Sequence, residues 1–148
     1  MDIQTKTMGT KKIEQSQIVT FPQGLFGFEK YKKYAVIESE YTPFLWLQSL
    51  DDEKLAFLIV DPFIICTDYE ADIDDESLLK IGVKAPEDVI VMCIVTVPSD
   101  GSSHITANLQ GPVVINKKNN LCEQTILGDN RWTTKYDIID ALKKREGK

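Results

Sequence analysis

The chain has 148 residues, of which 43% are hydrophobic and 27% charged, and its formal net charge is −6. This length and composition fit one soluble globular domain with a core of its own. The N-terminus, M-D-I-Q-T-K, lacks an apolar secretory segment, and the longest apolar run, residues 89–95, is too short to span a bilayer. We therefore expect a cytoplasmic protein that does not enter a membrane.

Short β-prone segments separated by turn residues follow one another along the chain. Strands are predicted, in chain order, at residues 18–21, 34–38, 44–50, 55–60, 89–97, 105–109, 113–116 and 124–127. The continuously apolar segment 55–60 predicts a strand that is buried on both faces. This pattern is typical of a mainly β fold, and we predict a small antiparallel β-barrel-like single domain over residues 1–136.

Helix signals are few. D-D-E-S-L-L-K-I-G, at 74–82, has an acidic first turn and a closing glycine, which predicts one short helix. Residues 137–148 form a charged C-terminal tail, in which 137–145 can make a second helix with Ile138, Ile139 and Leu142 on one side. A helix this short is marginal by itself, so the tail must dock on the domain or fray.

The segment D-Y-E-A-D-I-D-D-E, at 68–76, contains six carboxylates and no basic residue. Asp68, Glu70, Asp72 and Asp74 alternate with three apolar residues, so an extended backbone places the four carboxylates on one side. Residues 51–100 hold 13 acids and three bases, a net charge of −10, whereas the first and last thirds are +1 and +3. Such a surface favours a basic partner and repels nucleic acid. The alternative is a solvated acidic face without a partner.

Patterns for catalysis, metals and phosphate are weak. The only histidine, His104, lacks the partners of a zinc site, and no G-x-S-x-G motif is present, although a Ser–His pair stays open. Calcium-loop frames starting at Asp68 or Glu70 both fail at positions 6 and 12, which leaves only a weak surface cation site as an alternative. The basic residues are too dispersed for direct nucleic-acid binding. We predict no enzyme activity, no cofactor and no metal.

The glycines of one turn and the three cysteines are interpreted as structural residues. Gly24 and Gly27 lie in F-P-Q-G-L-F-G-F, at 21–28, which predicts a tight turn with positive φ at the glycines and its hydrophobic residues packed inward. The three cysteines, Cys66, Cys93 and Cys122, are widely spaced among apolar residues. We predict that they are buried, reduced and unpaired.

Six segments resemble the flagellar assembly factor FliW family, in the family's order and spacing between residues 21 and 136. They are F-P-Q-G-L-F-G-F (21–28), P-F-L-W-L-Q-S-L (43–50), L-A-F-L-I-V-D-P-F (55–63), D-Y-E-A-D-I (68–73), T-A-N-L-Q-G-P-V-V-I-N (106–116) and W-T-T-K-Y (132–136). The resemblance implies a β-barrel-like cytoplasmic monomer without catalytic activity.

The resemblance also implies two protein partners. FliW-like proteins bind flagellin as chaperones and bind the RNA-binding translational regulator CsrA, which stops CsrA from repressing flagellin translation. The two partners compete, so flagellin synthesis is coupled to its export.

On this basis we predict that Asp68, Glu70, Asp72 and Asp74 lie at the regulator surface, where they attract its basic side and repel RNA. Flagellin termini are apolar helices that need a hydrophobic groove, and Phe44 and Phe63 are candidates to line it, with core burial as the alternative. Two other classes stay open: a small β-barrel ligand-binding protein or enzyme with an interior pocket, and a structural subunit of a larger assembly.

Overall fold

The computed structural model describes residues 1–97 and 105–139. Short strands dominate this part of the chain. In chain order they are β1 (Asp2–Gln4), β2 (Thr10–Lys12), β3 (Ile18–Thr20), β4 (Lys33–Glu38), β5 (Leu45–Ser49), β6 (Ala56–Val60), β7 (Val89–Thr96), β8 (Thr106–Ala107), β9 (Val113–Asn116), β10 (Cys122–Gln124) and β11 (Tyr136–Asp137). The α-helices are α1 (Pro62–Ile65) and α2 (Asp75–Lys80), and 3-10 turns occupy Gln15–Gln17 and Pro86–Asp88. The predicted helix at 74–82 is confirmed as α2.

The main sheet is antiparallel and runs in the order β10-β9-β7-β6-β5-β4-β3. Strand β7 is long enough to pair with two strands on one edge, β9 along Val89–Met92 and β8 along Val95–Thr96. Strand β11 pairs with β8, and β1 and β2 form a separate hairpin. The predicted mainly β, antiparallel architecture is confirmed.

The two ends of the main sheet meet at one isolated bridge rather than along a paired strand. Thr20 at the end of β3 bridges Leu121 in parallel orientation, and its backbone N–H donates to the Asn120 carbonyl at 2.9 Å. Asn120 has a φ of 58°, and its side-chain amide donates to the Ile18 carbonyl at 3.0 Å. The sheet is therefore barrel-like, and a single asparagine turn links its edges.

Two apolar clusters lie on opposite faces of β6 and β7. Val60 and Cys93 belong to one cluster, and their chain neighbours Ile59 and Met92 belong to the other. This division follows from the alternation of side chains along a strand. The prediction that 55–60 is buried on both faces holds only at Ile59 and Val60, because residues 55–58 are half-buried.

The glycine turn at 21–28 has the predicted backbone. Gly24 has a φ of +71°, and a Cβ there would lie 2.4 Å from the Glu29 Cα, so only glycine fits. Phe21 and Leu25 are fully buried. The expectation that the hydrophobic residues of this turn pack inward is wrong for Phe26 and Phe28, which are 53% and 37% exposed.

Other elements depart from the sequence-based prediction. The strand expected at 124–127 lies earlier, at Cys122–Gln124 (β10), because its pairing with β9 begins two residues after the turn at 117–120. The polar hairpin of β1 and β2 and the single-turn helix α1 are absent from the prediction, since neither has a hydrophobic period.

At the C-terminus, Asp137 pairs within β11 and Ile138 is fully buried. The rest of the predicted second helix, 140–145, and the end of the tail lie outside the described residues, so the boundary between domain and tail stays a prediction. In the part of the chain that the structure describes, no helix has the length and hydropathy needed to cross a membrane.

Candidate functional site

The acidic segment between α1 and α2 keeps the predicted alternation without belonging to a strand. Tyr69 is buried, Ala71 and Ile73 are half-buried against the core, and the carboxylates between them are exposed. Tyr69 anchors the segment, because its hydroxyl donates to the Leu109 carbonyl at 2.6 Å and its ring lies 4.9 Å from that of Trp132. The alternation of buried and exposed side chains thus depends on the anchored Tyr69 side chain, and not on hydrogen bonds to a neighbouring strand.

Three of the four carboxylates have contacts inside the molecule. Asp68 accepts a hydrogen bond from the Cys66 thiol at 3.2 Å, and Glu70 accepts one from Arg131 Nη2 at 3.1 Å. For Asp72, the described residues provide neither a hydrogen bond nor an ion pair. The row is exposed, yet its members differ in how freely they can meet a partner.

Asp74, the fourth carboxylate, is the N-cap of α2. It accepts hydrogen bonds from the Ser77 hydroxyl at 2.7 Å, the Ser77 backbone N–H at 3.3 Å and the Thr125 hydroxyl at 3.3 Å. The Ser77 side chain is the main cause that lowers the pKa of Asp74 below its ordinary value of 3.8. Asp74 therefore stays ionised at neutral pH while it fixes the start of the helix.

Arg131 forms an ion pair with this row that the sequence did not predict. It forms an ion pair with Asp129 at 2.6 Å as well as with Glu70, and its guanidinium lies 4.8 Å from the Trp132 ring centroid. The hydrogen bond with Asp129 is the largest cause that raises the pKa of Arg131 and lowers that of Asp129. Sixty-one positions separate Arg131 from Glu70, so no local pattern could have indicated the pair.

An apolar groove, which we call the α2 groove, lies beside the acidic segment. Its volume is about 670 Å³, and it is lined by Ala71, Asp72, Ile73, Asp75, Leu78, Leu79, Val83, Lys84, Ala85, Pro86, Val89 and Val91. Leu79 is 76% exposed, although it follows the half-buried Leu78 on α2. Adjacent side chains point about 100° apart on a helix, so two neighbouring leucines in so short a helix do not both face the core. The Leu78–Leu79 pair was therefore the available sequence signal for an exposed apolar side chain.

A second apolar groove, the Phe44 groove, has a volume of about 490 Å³. It is lined by Thr7, Met8, Glu40, Tyr41, Phe44, Trp46, Leu58, Val95, Val97 and Ile105. Phe44 is half-buried there, whereas Phe63 does not line this groove but lies on α1, 46% exposed, with its ring 5.6 Å from that of Tyr69. Of the two predicted aromatic residues, the structure thus places Phe44 in this groove and Phe63 outside it.

Residues 2–138 match the model of a family described as FliW protein. This chain belongs to the FliW family. The flagellar assembly factor FliW of Treponema denticola is 50% identical over 142 residues, which cover 96% of each chain. That of Treponema pallidum (strain Nichols) is 48% identical over 145 residues, covering 98% of this chain and 96% of the relative. A crystal structure of the flagellar assembly factor FliW matches with a TM-score of 0.84 at 35% identity, covering 94% of this chain and 97% of that one.

The thiols of this FliW-family protein are unsuited to nucleophilic chemistry. Cys66, Cys93 and Cys122 are free and buried, as predicted. Burial raises the pKa of Cys93 and of Cys122 to about 12, so both remain protonated thiols at neutral pH. His104 lies outside the described residues.

Metal chemistry finds no support in the described residues of this FliW-family chain either. Within 1–97 and 105–139 no group of His, Cys, Asp and Glu side chains is arranged to hold a metal ion. The named relatives are flagellar assembly factors. What the described surface offers is a carboxylate row and two apolar grooves, which are features suited to binding other proteins.

Proposed function

We propose that this protein is a flagellar assembly factor that binds flagellin as a chaperone and binds the RNA-binding translational regulator CsrA, antagonising its repression of flagellin translation. Family membership over residues 2–138 supports the role in flagellar assembly. The observation that carries the proposed binding of CsrA is the carboxylate row, which is held outward because Tyr69 is buried beneath it.

The carboxylate row is the proposed contact for the regulator. Its four members are exposed, and Asp72 and Asp75 extend the negative surface to the rim of the α2 groove. Such a field increases the association rate of a basic protein and repels RNA phosphates from the same surface. Binding of the regulator and exclusion of RNA from it would then both follow from this negatively charged surface.

The fourfold variant Asp68→Asn, Glu70→Gln, Asp72→Asn and Asp74→Asn tests this contact. We expect its association with CsrA at low salt to be slower by about tenfold and less dependent on salt. Unchanged association kinetics at low salt would contradict the proposal.

A matched pair of double variants separates local charge from net charge. Glu70→Gln with Asp72→Asn should slow association, whereas Glu38→Gln with Glu53→Gln should not. Glu38 and Glu53 are exposed and line neither groove, and both variants change the net charge by the same amount. Equal slowing by the two would show that only net charge matters.

We propose the Phe44 groove as the flagellin site, with Phe63 as a second contact on α1. The groove is apolar and bordered by the 61%-exposed Tyr41, which suits the apolar face of a flagellin helix. Tyr41→Ser should weaken flagellin binding by about tenfold, since an exposed aromatic residue at an interface supplies large contact area. Phe26→Ser, a change at another exposed aromatic residue outside the groove, should leave it unchanged.

The alternative classes make different predictions. A ligand-binding protein would use the Phe44 groove for a small apolar molecule, and a structural subunit would self-associate. Size-exclusion chromatography with light scattering, alone and with flagellin or CsrA, distinguishes them. A monomer that forms a stoichiometric complex with either partner supports the proposal, and an oligomer indifferent to both overturns it.

A further inference from the structure

Strands β8 and β9 together pair with one edge of β7. The Ile94 carbonyl accepts a hydrogen bond from the Asn108 backbone N–H at 2.9 Å, on the edge where β8 and β9 lie. The backbone groups of alternate residues point to opposite edges of a strand. The backbone groups of Val89 and Val91 therefore point to the other edge of β7.

That other edge is only partly covered. Strand β6 pairs with Cys93–Val95 alone, because Val60 is its last residue and Pro62 already begins α1. Within 1–97 and 105–139, no strand pairs with this edge at Val89–Val91. An unpaired strand edge is a template on which another chain can add a strand.

The open edge faces the α2 groove. Val89 and Val91 form one wall, and Ala71 and Ile73 belong to the acidic segment that lines it as well. The volume of about 670 Å³ leaves room beside the edge for a short extended segment. The exposed Leu79 supplies an apolar contact for side chains of such a segment.

The charges at the groove select its occupant. Asp72 and Asp75 carry its negative charge, and Lys84 is the only cation among its lining residues. A second copy of this chain would bring one acidic segment against another, and like charges at an interface oppose association. A segment that alternates apolar and basic side chains matches both the groove and its rim.

We propose that the α2 groove receives an extended, apolar and basic segment of the RNA-binding regulator, which adds as a strand to the open edge of β7. This inference rests on the proposed function, because it takes the regulator as a partner. The carboxylate row then governs the association rate, and the groove governs the lifetime of the complex.

The first test measures dissociation of the complex with purified CsrA. Leu79→Ala should accelerate dissociation roughly tenfold, since burial of a leucine side chain contributes to holding the complex together. Ile126→Ala is the matched control, because Ile126 is 65% exposed and does not line the groove. Both residues are exposed, so neither change threatens folding. Equal dissociation rates for Leu79→Ala and the wild type overturn the proposal.

The second test is amide hydrogen exchange resolved by NMR, with and without CsrA. Strand addition should slow exchange at the Val91 amide at least tenfold, while Ile90, whose backbone faces β9, should change little. Complex formation without protection of Val91 overturns strand addition and leaves the proposed function standing. No complex at all in light scattering contradicts the proposed function itself, and protection of Val91 that grows with protein concentration alone would assign the edge to self-association.

Discussion

The hydroxyl of Tyr69 donates a 2.6 Å hydrogen bond to the backbone carbonyl of Leu109, a residue 40 positions further along the chain. Both residues are buried, at 3% and 0% exposure. This contact ties the acidic segment to the loop that follows β8. It explains how a segment outside the sheet can present its carboxylates on one side.

Tyr69→Phe should lower the free energy of unfolding by about 1–2 kcal/mol, because it leaves the buried Leu109 carbonyl without its donor. Urea denaturation with an unchanged m-value would measure the loss. Tyr41→Phe, at a 61%-exposed position, is the control and should be neutral. A neutral Tyr69→Phe would mean that water or another donor replaces the hydroxyl.

Asp74→Ala should destabilise the protein by about 1 kcal/mol at neutral pH, because it removes the N-cap of α2. The folded-state pKa of Asp74 is lowered, chiefly by the Ser77 hydroxyl, so its contribution is present above 3.8 and is lost as the pH falls through the folded value. The difference in urea midpoint between wild type and variant should therefore narrow as the pH falls below 3.8.

Asp74→Asn is the control for the capping prediction. Asparagine is an effective N-cap and does not ionise, so this variant should retain most of the stability at neutral pH. A destabilisation as large as that of Asp74→Ala would show that the charge, and not the cap geometry, stabilises α2.

Arg131→Gln should increase the association rate with a basic partner at low salt, because it removes the cation that pairs with Glu70 and Asp129. Stopped-flow measurements should show the difference shrinking as salt is added. Lys135→Gln makes the same change in net charge at an exposed position outside these ion pairs and should have a smaller effect. Identical rates for the two variants would argue against a local role of Arg131.

Cys93 and Cys122 should not react with a thiol reagent at pH 8 in the native protein, since burial raises both pKa values to about 12. In urea, modification should follow the unfolding transition and reach all three cysteines. Mass spectrometry of the labelled protein counts the modified thiols. Labelling at Cys93 or Cys122 without urea would reveal local opening around the core.

Much of the fold was predictable because it depends on local chemistry. Alternation and apolar runs located β4, β5, β6, β7 and β9, and cap residues located α2. The hairpin of β1 and β2 was not predictable, since its strands are polar and Ile3 is packed by Ala35 and Ile37 of β4. For the site, the sequence predicted the exposed carboxylates and named Phe44 as a candidate groove residue, but it located neither groove, because a groove is shaped by elements that are distant in the chain.

The sequence by itself determined which side chains of residues 68–74 are buried and which are exposed, because a period of two separates apolar from charged residues on any extended backbone. The tertiary structure decided which carboxylates meet a distant side chain: Glu70 meets Arg131, and Asp72 meets no ion-pair or hydrogen-bond partner among the described residues. It also decided the register of β6 on β7, which pairs Val60 with Cys93 and leaves Val91 beyond the end of β6. These relations depend on long-range packing, which no local pattern encodes.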